Sequence, residues 1–344
     1  MKTGFIYDPA YLNHDTGSHV EGARRLSCAF DFLQKTGALE KLVQIKPRPA
    51  SVDEVSLVHF SEYIQKVKAF SDRGGGSFGY DNVGSRETYE TALLAAGGTL
   101  AAIESVKDKS VDNAFAMVRP PGHHATAGQG MGFCYFNNVA IGARYALRRY
   151  HLSRVLVVDW DEHHGNGTEH TFYDDPSVLY FSVHRDWSFP GTGLAEKVGT
   201  REGEGYNINV PLPRGSGDCE YELVFQQILK PVALKYNPEL ILISAGMDAH
   251  FKDPIGQMSL TPRGYWRLAQ IVCEIAGKCC GGDLVAVLEG GYNPQALAES
   301  VLAVLVAMAG WAGSDQAVEN TKPKANAMRA IEEVKKIQAC YWPI

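Results

Sequence analysis

Five short stretches of the chain are apolar almost without interruption: NAFAMV (113–118), RVLVVDW (154–160), VLYFSV (178–183), ELILISA (239–245) and LVAVLE (284–289). Each is too short for an ordinary helix and is bounded by polar residues, which predicts a strand buried on both faces. Between them lie longer segments with apolar residues at helical spacing, such as NNVAIGARYALRRY (137–150) and YWRLAQIVCEIAGK (265–278). Asn293-Pro294 reads as a helix N-cap followed by proline at the first helical position. Apolar strands alternating with helices predict a single α/β domain, a mostly parallel central sheet with helices on both faces.

The polar residues fall where that pattern makes them useful. RPPGHHA follows the first apolar run, DEHHGNG the second, HRDW the third, GMDAH the fourth and GGYN the fifth. In an open parallel sheet, ligands bind in the crevice beyond the carboxyl ends of the strands. Five polar clusters therefore converge on one rim. Within them, Asp161 and His163 alternate along an extended strand end and can face the same side. Carboxylate oxygen and imidazole nitrogen both suit zinc, and catalytic zinc sites use three protein ligands plus water. Asp248, at the end of another apolar run, is the candidate third ligand.

An isolated Asp-x-His is more often a solvated strand end, but two acidic strand ends in one crevice favour a metal. His123 and His124 supply imidazoles that titrate near neutral pH, suited to moving a proton to and from water. Asp159 and Asn166 are available to orient them. Tyr292, after two glycines, is either ordinary rim packing or a hydrogen-bond donor to a developing oxyanion.

Composition removes other classes. The 344 residues are 45% hydrophobic and 21% charged, normal for a globular chain. No apolar run reaches the ~20 residues of a membrane span, and the N-terminus lacks a signal-peptide core, which predicts a cytoplasmic protein. A net charge of −6 without a Lys/Arg run argues against nucleic acid as a partner. Seven cysteines without a C-x-x-C pair predict free thiols. GSDQAVENTKPKA (313–325) reads as a connector. Met328, Ile331, Val334 and Ile337 then predict an amphipathic helix that packs back on the domain or makes a subunit contact in a homo-oligomer. The expected organisation is a catalytic domain over 1–312 and a connector with helix over 313–344.

RPPGHHA, GFCYFNN, VDWDEHHGNGT, FSVH, GMDAHFKDP and LEGGYN, in this order, resemble the zinc-dependent histone deacetylase family within the arginase–deacetylase superfamily, nearer to class II and its bacterial amidohydrolase relatives. The resemblance runs from about Thr3 to Trp311. It implies one Zn²⁺ held by Asp161, His163 and Asp248. It further implies His124 as general base beside Asn166, and His123 paired with Asp159 as electrostatic support. Tyr292 would polarise the acyl carbonyl together with the metal. Phe133 and Phe189 would wall a narrow tunnel, Gly132 would accept the substrate amide N–H, and Asp81 would hold the substrate backbone at the rim. Structural potassium is also implied, at Ser182, Val183 and the carbonyls of Asp159, Asp161 and His163, with a second site at Phe172, Asp175 and Val178. His164 has no catalytic counterpart and reads as structural support.

HVEGARRL (19–26) lacks both prolines of the family's usual HPExPxRL, which leaves the role of Arg25 open. The substrate implied is an acyl-lysine or related amide, with acetylpolyamine as the alternative. Polyamine-specialised relatives can carry a glutamate after the Asp-Pro pair, where this chain has Ile255. A two-metal ureohydrolase is the nearest enzyme rival, but Gly165 and His250 stand where its extra aspartates would be. A binding module without catalysis is the other rival, and the presence of all five central residues weighs against it.

Overall fold

All five predicted strands form, and three others join them in one sheet. The computed structural model describes residues 1–312 and 322–344, so most of the predicted connector, 313–321, lies outside the described residues. The strands are β1 (Thr3–Ile6), β2 (Val43–Ile45), β3 (Gly75–Gly79), β4 (Asn82–Ser85), β5 (Asn113–Ala116), β6 (Val155–Asp159), β7 (Val178–Arg185), β8 (Asn207–Leu212), β9 (Leu240–Ala245) and β10 (Leu284–Leu288). Eight form one parallel sheet in the order β2-β1-β5-β10-β9-β6-β7-β8, while β3 and β4 make a separate antiparallel hairpin.

The four central strands β5, β10, β9 and β6 are buried at every position, as their uninterrupted apolar character requires. Helices Thr88–Lys107 and Asn138–Arg149 pack together and against the sheet, and helix Pro294–Ala309 packs on β1 and β5 between helices Arg24–Lys35 and Pro262–Cys279. Asn293 caps Pro294–Ala309 as expected, its side chain accepting the Ala296 N–H at 3.1 Å.

The predicted C-terminal helix is present over Ala325–Gln338 and lies against β8. Ile331 and Val334 enter the main core, and Gln338 Nε2 donates to the Asn207 carbonyl at 3.4 Å. Trp342 Nε1 donates to the Gly205 carbonyl at 2.7 Å. This segment covers the edge of the sheet, which would otherwise present unpaired backbone groups.

The register delivers the polar loops to one place. β9 lies between β10 and β6, and β5 and β7 flank that trio, with all five parallel. Their carboxyl ends therefore open side by side, and the loops that follow carry the candidate site.

Candidate functional site

The histidine loop after β5 is held from three sides. Helix Asn166–Phe172 directs two N-terminal N–H groups at the His123 carbonyl, from Gly167 at 3.0 Å and Thr168 at 3.2 Å. Asn137 Nδ2 donates to the Ala125 carbonyl at 3.2 Å, and Asn138 Nδ2 to the Pro120 carbonyl at 3.1 Å. From below, the buried Glu289 carboxylate accepts the N–H groups of Gly122 at 2.6 Å and His123 at 3.2 Å, and the Ser244 hydroxyl at 3.2 Å.

So fixed, the adjacent imidazoles meet different partners. His124 Nδ1 lies 2.9 Å from Asn166 Oδ1, and His123 Nδ1 lies 3.0 Å from Asp159 Oδ2. Asp159 also accepts the Tyr180 hydroxyl at 3.0 Å. Burial opposes charge on His123, but the Asp159 and Asp161 carboxylates outweigh it and hold the imidazole up at about 10. For His124, burial and then the neighbouring His123 and His163 push the titration well below the usual range. One imidazole is kept charged and its neighbour neutral.

Beside them, Asp161, His163 and Asp248 bring their donor atoms within 4.8 Å of one another. His163 Nδ1 lies 2.9 Å from Asp248 Oδ2 and 3.2 Å from Asp161 Oδ1. Both carboxylates are buried, and among the described residues no lysine or arginine pairs with either. Burial and then the nearby Asp161 carboxylate push the Asp248 carboxyl up. Two buried carboxylates with one imidazole, which no described lysine or arginine neutralises, could hold a divalent cation, and zinc suits this mixture of oxygen and nitrogen. At Gly165 an added Cβ would lie 2.3 Å from Asp159 Oδ2, so that position has no room for a further carboxylate ligand.

The surrounding walls are apolar. The Phe189 ring stands edge-on to His124 at 5.0 Å, and the Phe133 ring edge-on to Tyr292 at 5.6 Å. Gly132 sits between His124 and Phe189 at φ +53°, where a Cβ would lie 2.5 Å from the imidazole and 2.8 Å from the Phe189 ring. Only glycine fits there.

Tyr292 is held by its backbone and ring. Its N–H donates to Asp253 Oδ2 at 2.7 Å, and the Arg25 guanidinium lies 4.9 Å from the ring centre. Ile255 shares that turn, its N–H donating to Asp253 Oδ1 at 3.0 Å. Asp81 is exposed at the tip of the β3–β4 hairpin, whereas the adjacent Asn82 is buried and accepts the Phe133 N–H at 2.8 Å.

A family model described as Histone deacetylase domain matches residues 19–308. The chain belongs to the histone deacetylase family. It is 40% identical over 99% of its length to a "Probable deacetylase" of Archaeoglobus fulgidus, covering 99% of that protein. It is 38% identical over its whole length to human "Polyamine deacetylase HDAC10", of which it spans 53%. The solved structure of the HDA15 HD domain superimposes with a TM-score of 0.91 at 36% identity, over 99% of this chain and 95% of that one. This deacetylase chain is thus a hydrolytic enzyme of a family whose members generally depend on zinc.

The sequence leaves several residues of the candidate site without a role. Arg25, left open above, clamps the loop of Tyr292: its Nε donates to the Gly291 carbonyl at 2.6 Å and its Nη2 to the Glu289 carbonyl. Glu21 bridges Arg25 at 2.8 Å and Arg119 at 2.7 Å. Glu162, between the two candidate ligands of the strand end, accepts Arg185 Nε at 2.6 Å and the Gln257 N–H at 2.6 Å. Glu289 is the fourth.

Leaving Gly122 and His123 N–H groups buried without an acceptor should loosen the histidine loop. Glu289→Ala is expected to lower kcat by about 10–100-fold. Glu289→Gln, which keeps an acceptor oxygen, should recover most of that loss. Steady-state kinetics of both variants beside their metal content provide the check, and a Glu289→Ala kcat near wild type would refute the link.

The structure places the residues implied for potassium as follows. Ser182 lies within β7 opposite Asp159 of β6, with its Oγ 2.8 Å from His184 Nδ1, beside Val183. Phe172 ends helix Asn166–Phe172 and Val178 opens β7; the Asp175 N–H donates to the Phe172 carbonyl at 3.1 Å, and the Val178 N–H to the Asp175 carbonyl at 3.4 Å. His164 Nδ1 lies 2.7 Å from Thr192 Oγ1, beneath the loop that carries Phe189. No described helix is long and apolar enough to cross a membrane.

Proposed function

We propose that the crevice hydrolyses the amide of an acylated lysine side chain, with Asp161, His163 and Asp248 holding one Zn²⁺. The observation that carries this reading is the adjacent histidine pair, one oriented by a carboxylate and the other by an amide, next to a charge-deficient set of three ligands. Bound there, the cation would act as a Lewis acid toward the acyl carbonyl and lower the pKa of a water molecule.

The chain's own groups supply the proton transfers. Asn166 Oδ1 accepts the His124 Nδ1–H, leaving Nε2 of the neutral ring free. His124 takes a proton from the attacking water as its oxygen bonds to the acyl carbon. It then returns that proton to the amine as the C–N bond breaks. His123, kept as an imidazolium by Asp159, stabilises negative charge without exchanging protons. Tyr292, its phenol pushed well up by burial, stays protonated and donates to the oxyanion.

Phe133, Phe189 and Gly132 wall the passage for the lysine stem, and Asp81 engages the substrate backbone at the mouth. Ser182 and Val183, with the Asp159, Asp161 and His163 carbonyls, and separately Phe172, Asp175 and Val178, hold structural K⁺. Residues 1–312 form the catalytic unit, and within 313–344 the helix Ala325–Gln338 closes the β8 edge. Seven free thiols support a reducing compartment, which we take as the cytoplasm.

The relative named as a polyamine deacetylase makes acetylpolyamine the second reading. The apolar Ile255 beside the turn of Tyr292 favours lysine, since a carboxylate there would attract a second ammonium. Two unit charges ~4 Å apart interact by about 4 kcal/mol at an effective dielectric of 20. Even a quarter of that favours the polyamine by roughly fivefold. Ile255→Glu is expected to shift the kcat/KM ratio of acetylspermidine to acetyl-lysine peptide upward by at least that factor. Assay of the zinc-loaded enzyme on acyl-lysine peptides and acetylpolyamines tests the reading, and a strong wild-type preference for the polyamine would replace it with the second.

A further inference from the structure

We infer that Trp187 is a specificity-determining residue, a stacking platform at the mouth for the polypeptide that bears the acylated lysine. The inference rests on the acyl-lysine reading of the crevice and adds what lies beyond the lysine stem.

Trp187 is 92% exposed and adopts φ +53°. Both features carry a cost: an indole left in water forgoes its burial, and a bulky L-residue is strained in the left-handed region. A loose loop does not account for them. The Asp186 N–H donates to the Leu212 carbonyl at 2.8 Å, and the Gly191 N–H to the Ser188 carbonyl at 2.8 Å. From beneath, His184 Nε2 meets the Gly193 carbonyl at 2.9 Å and His164 Nδ1 meets Thr192 Oγ1 at 2.7 Å. The loop holds the indole out on a rigid support.

Its position relates that exposure to the reaction. Two residues on, Phe189 stands 5.0 Å from the His124 ring, so one loop walls the reacting centre and presents the indole outside it. A second exposed aromatic sits on a backbone tied to the same wall. Tyr80 is 66% exposed at φ +45°; its backbone carbonyl accepts the Gly132 N–H at 3.3 Å, which anchors the hairpin tip at Gly132, and Gly132 abuts Phe189. A chain leaving the passage on this side meets Tyr80, Asp81 and Trp187.

The chemistry favours a polypeptide over a polyamine as that chain. Inside the mouth, at whose rim Asp81 is the carboxylate available to backbone N–H groups, Phe133, Phe189, Gly132 and Ile255 offer no charge to an ammonium a few methylenes from the amide. Lys252, whose ammonium lies 5.3 Å from the exposed Phe251 ring, adds a cation, and its carbonyl is tied to Asn293 next to Tyr292. Planar peptide groups and side chains, by contrast, stack on a rigid aromatic at small entropic cost.

The test compares Trp187→Ala and Trp187→Phe with wild type on three substrates: acetyl-lysine within an extended peptide, a capped single acetyl-lysine and acetylspermidine. For Trp187→Ala the ratio of kcat/KM, peptide over capped residue, should fall about tenfold, with the change in KM and not in kcat. Trp187→Phe should restore most of it. An unchanged ratio, or a loss carried by kcat, overturns the assignment. A loss confined to acetylspermidine also overturns it, in favour of cation recognition by the indole. Inactivity of the zinc-loaded wild type toward both lysine substrates would instead strike the underlying acyl-lysine reading, and the inference with it.

Discussion

His163→Ala is expected to lose its bound zinc and on the order of 10³-fold in turnover while the protein stays folded. The substitution removes one of three protein ligands, the only neutral donor in the set, and leaves Asp161 and Asp248 facing each other with no imidazole between them. Lewis-acid assistance supplies several kcal/mol of transition-state stabilisation, and each 1.36 kcal/mol is a factor of about ten. The fold should survive because His163 sits beyond the end of β6, on the rim and outside the strand core. Asp161→Ala should be equally inactive but a less clean probe, since Asp161 Oδ2 also accepts the Gly290 N–H at 2.9 Å and so supports the loop of Tyr292. Metal content, turnover and a melting curve decide the matter together. Stoichiometric zinc with normal turnover in His163→Ala would exclude this site.

The contrast between Asp161 and Glu162 shows what the chain discloses when read in one dimension. Asp161 and His163 stand out because they interrupt an apolar run at its carboxyl end, where a parallel sheet opens its crevice. Glu162, between them, is as buried, but its partners are an arginine and backbone N–H groups of a loop some 95 residues away. No local pattern announces such a partner. Glu289 and Glu21 are hidden for the same reason, one satisfied by the backbone of the histidine loop and the other by arginines on two separate elements.

The strands divide similarly. Those buried on both faces are continuous apolar words. β8, whose Asn207 and Asn209 both donate to Glu169, breaks the pattern with polar residues and a proline and was not among the predicted strands. β1 and β2 are too short for a period to register. Arg25 is the instructive case. HVEGARRL departs from the family's proline-containing pattern, yet Glu21 and Arg25 still meet and the guanidinium still reaches the Gly291 carbonyl. The clamp depends on those two side chains, and the missing prolines do not prevent it.

That clamp makes Tyr292→Phe a clean experiment on a single hydroxyl. The ring is positioned without it: the backbone N–H is held by Asp253, the ring edge by Phe133, and its face by the Arg25 guanidinium at 4.9 Å. Phenylalanine keeps all three contacts and none of the metal ligands is touched, so zinc should remain stoichiometric and the melting temperature near wild type. Only the proton of a phenol that burial keeps from ionising is lost. If that proton is donated to the oxyanion, the interaction exists chiefly in the transition state, and its removal lowers kcat far more than it raises KM. Removing one such donor costs ~10²–10³ in turnover. Expected, then, is a zinc-replete enzyme with a nearly unchanged KM for an acetyl-lysine peptide and a kcat reduced by that factor. A kcat within about threefold of wild type would take Tyr292 out of the chemistry and leave polarisation of the acyl group to the cation alone, since such a drop is worth well under 1.4 kcal/mol.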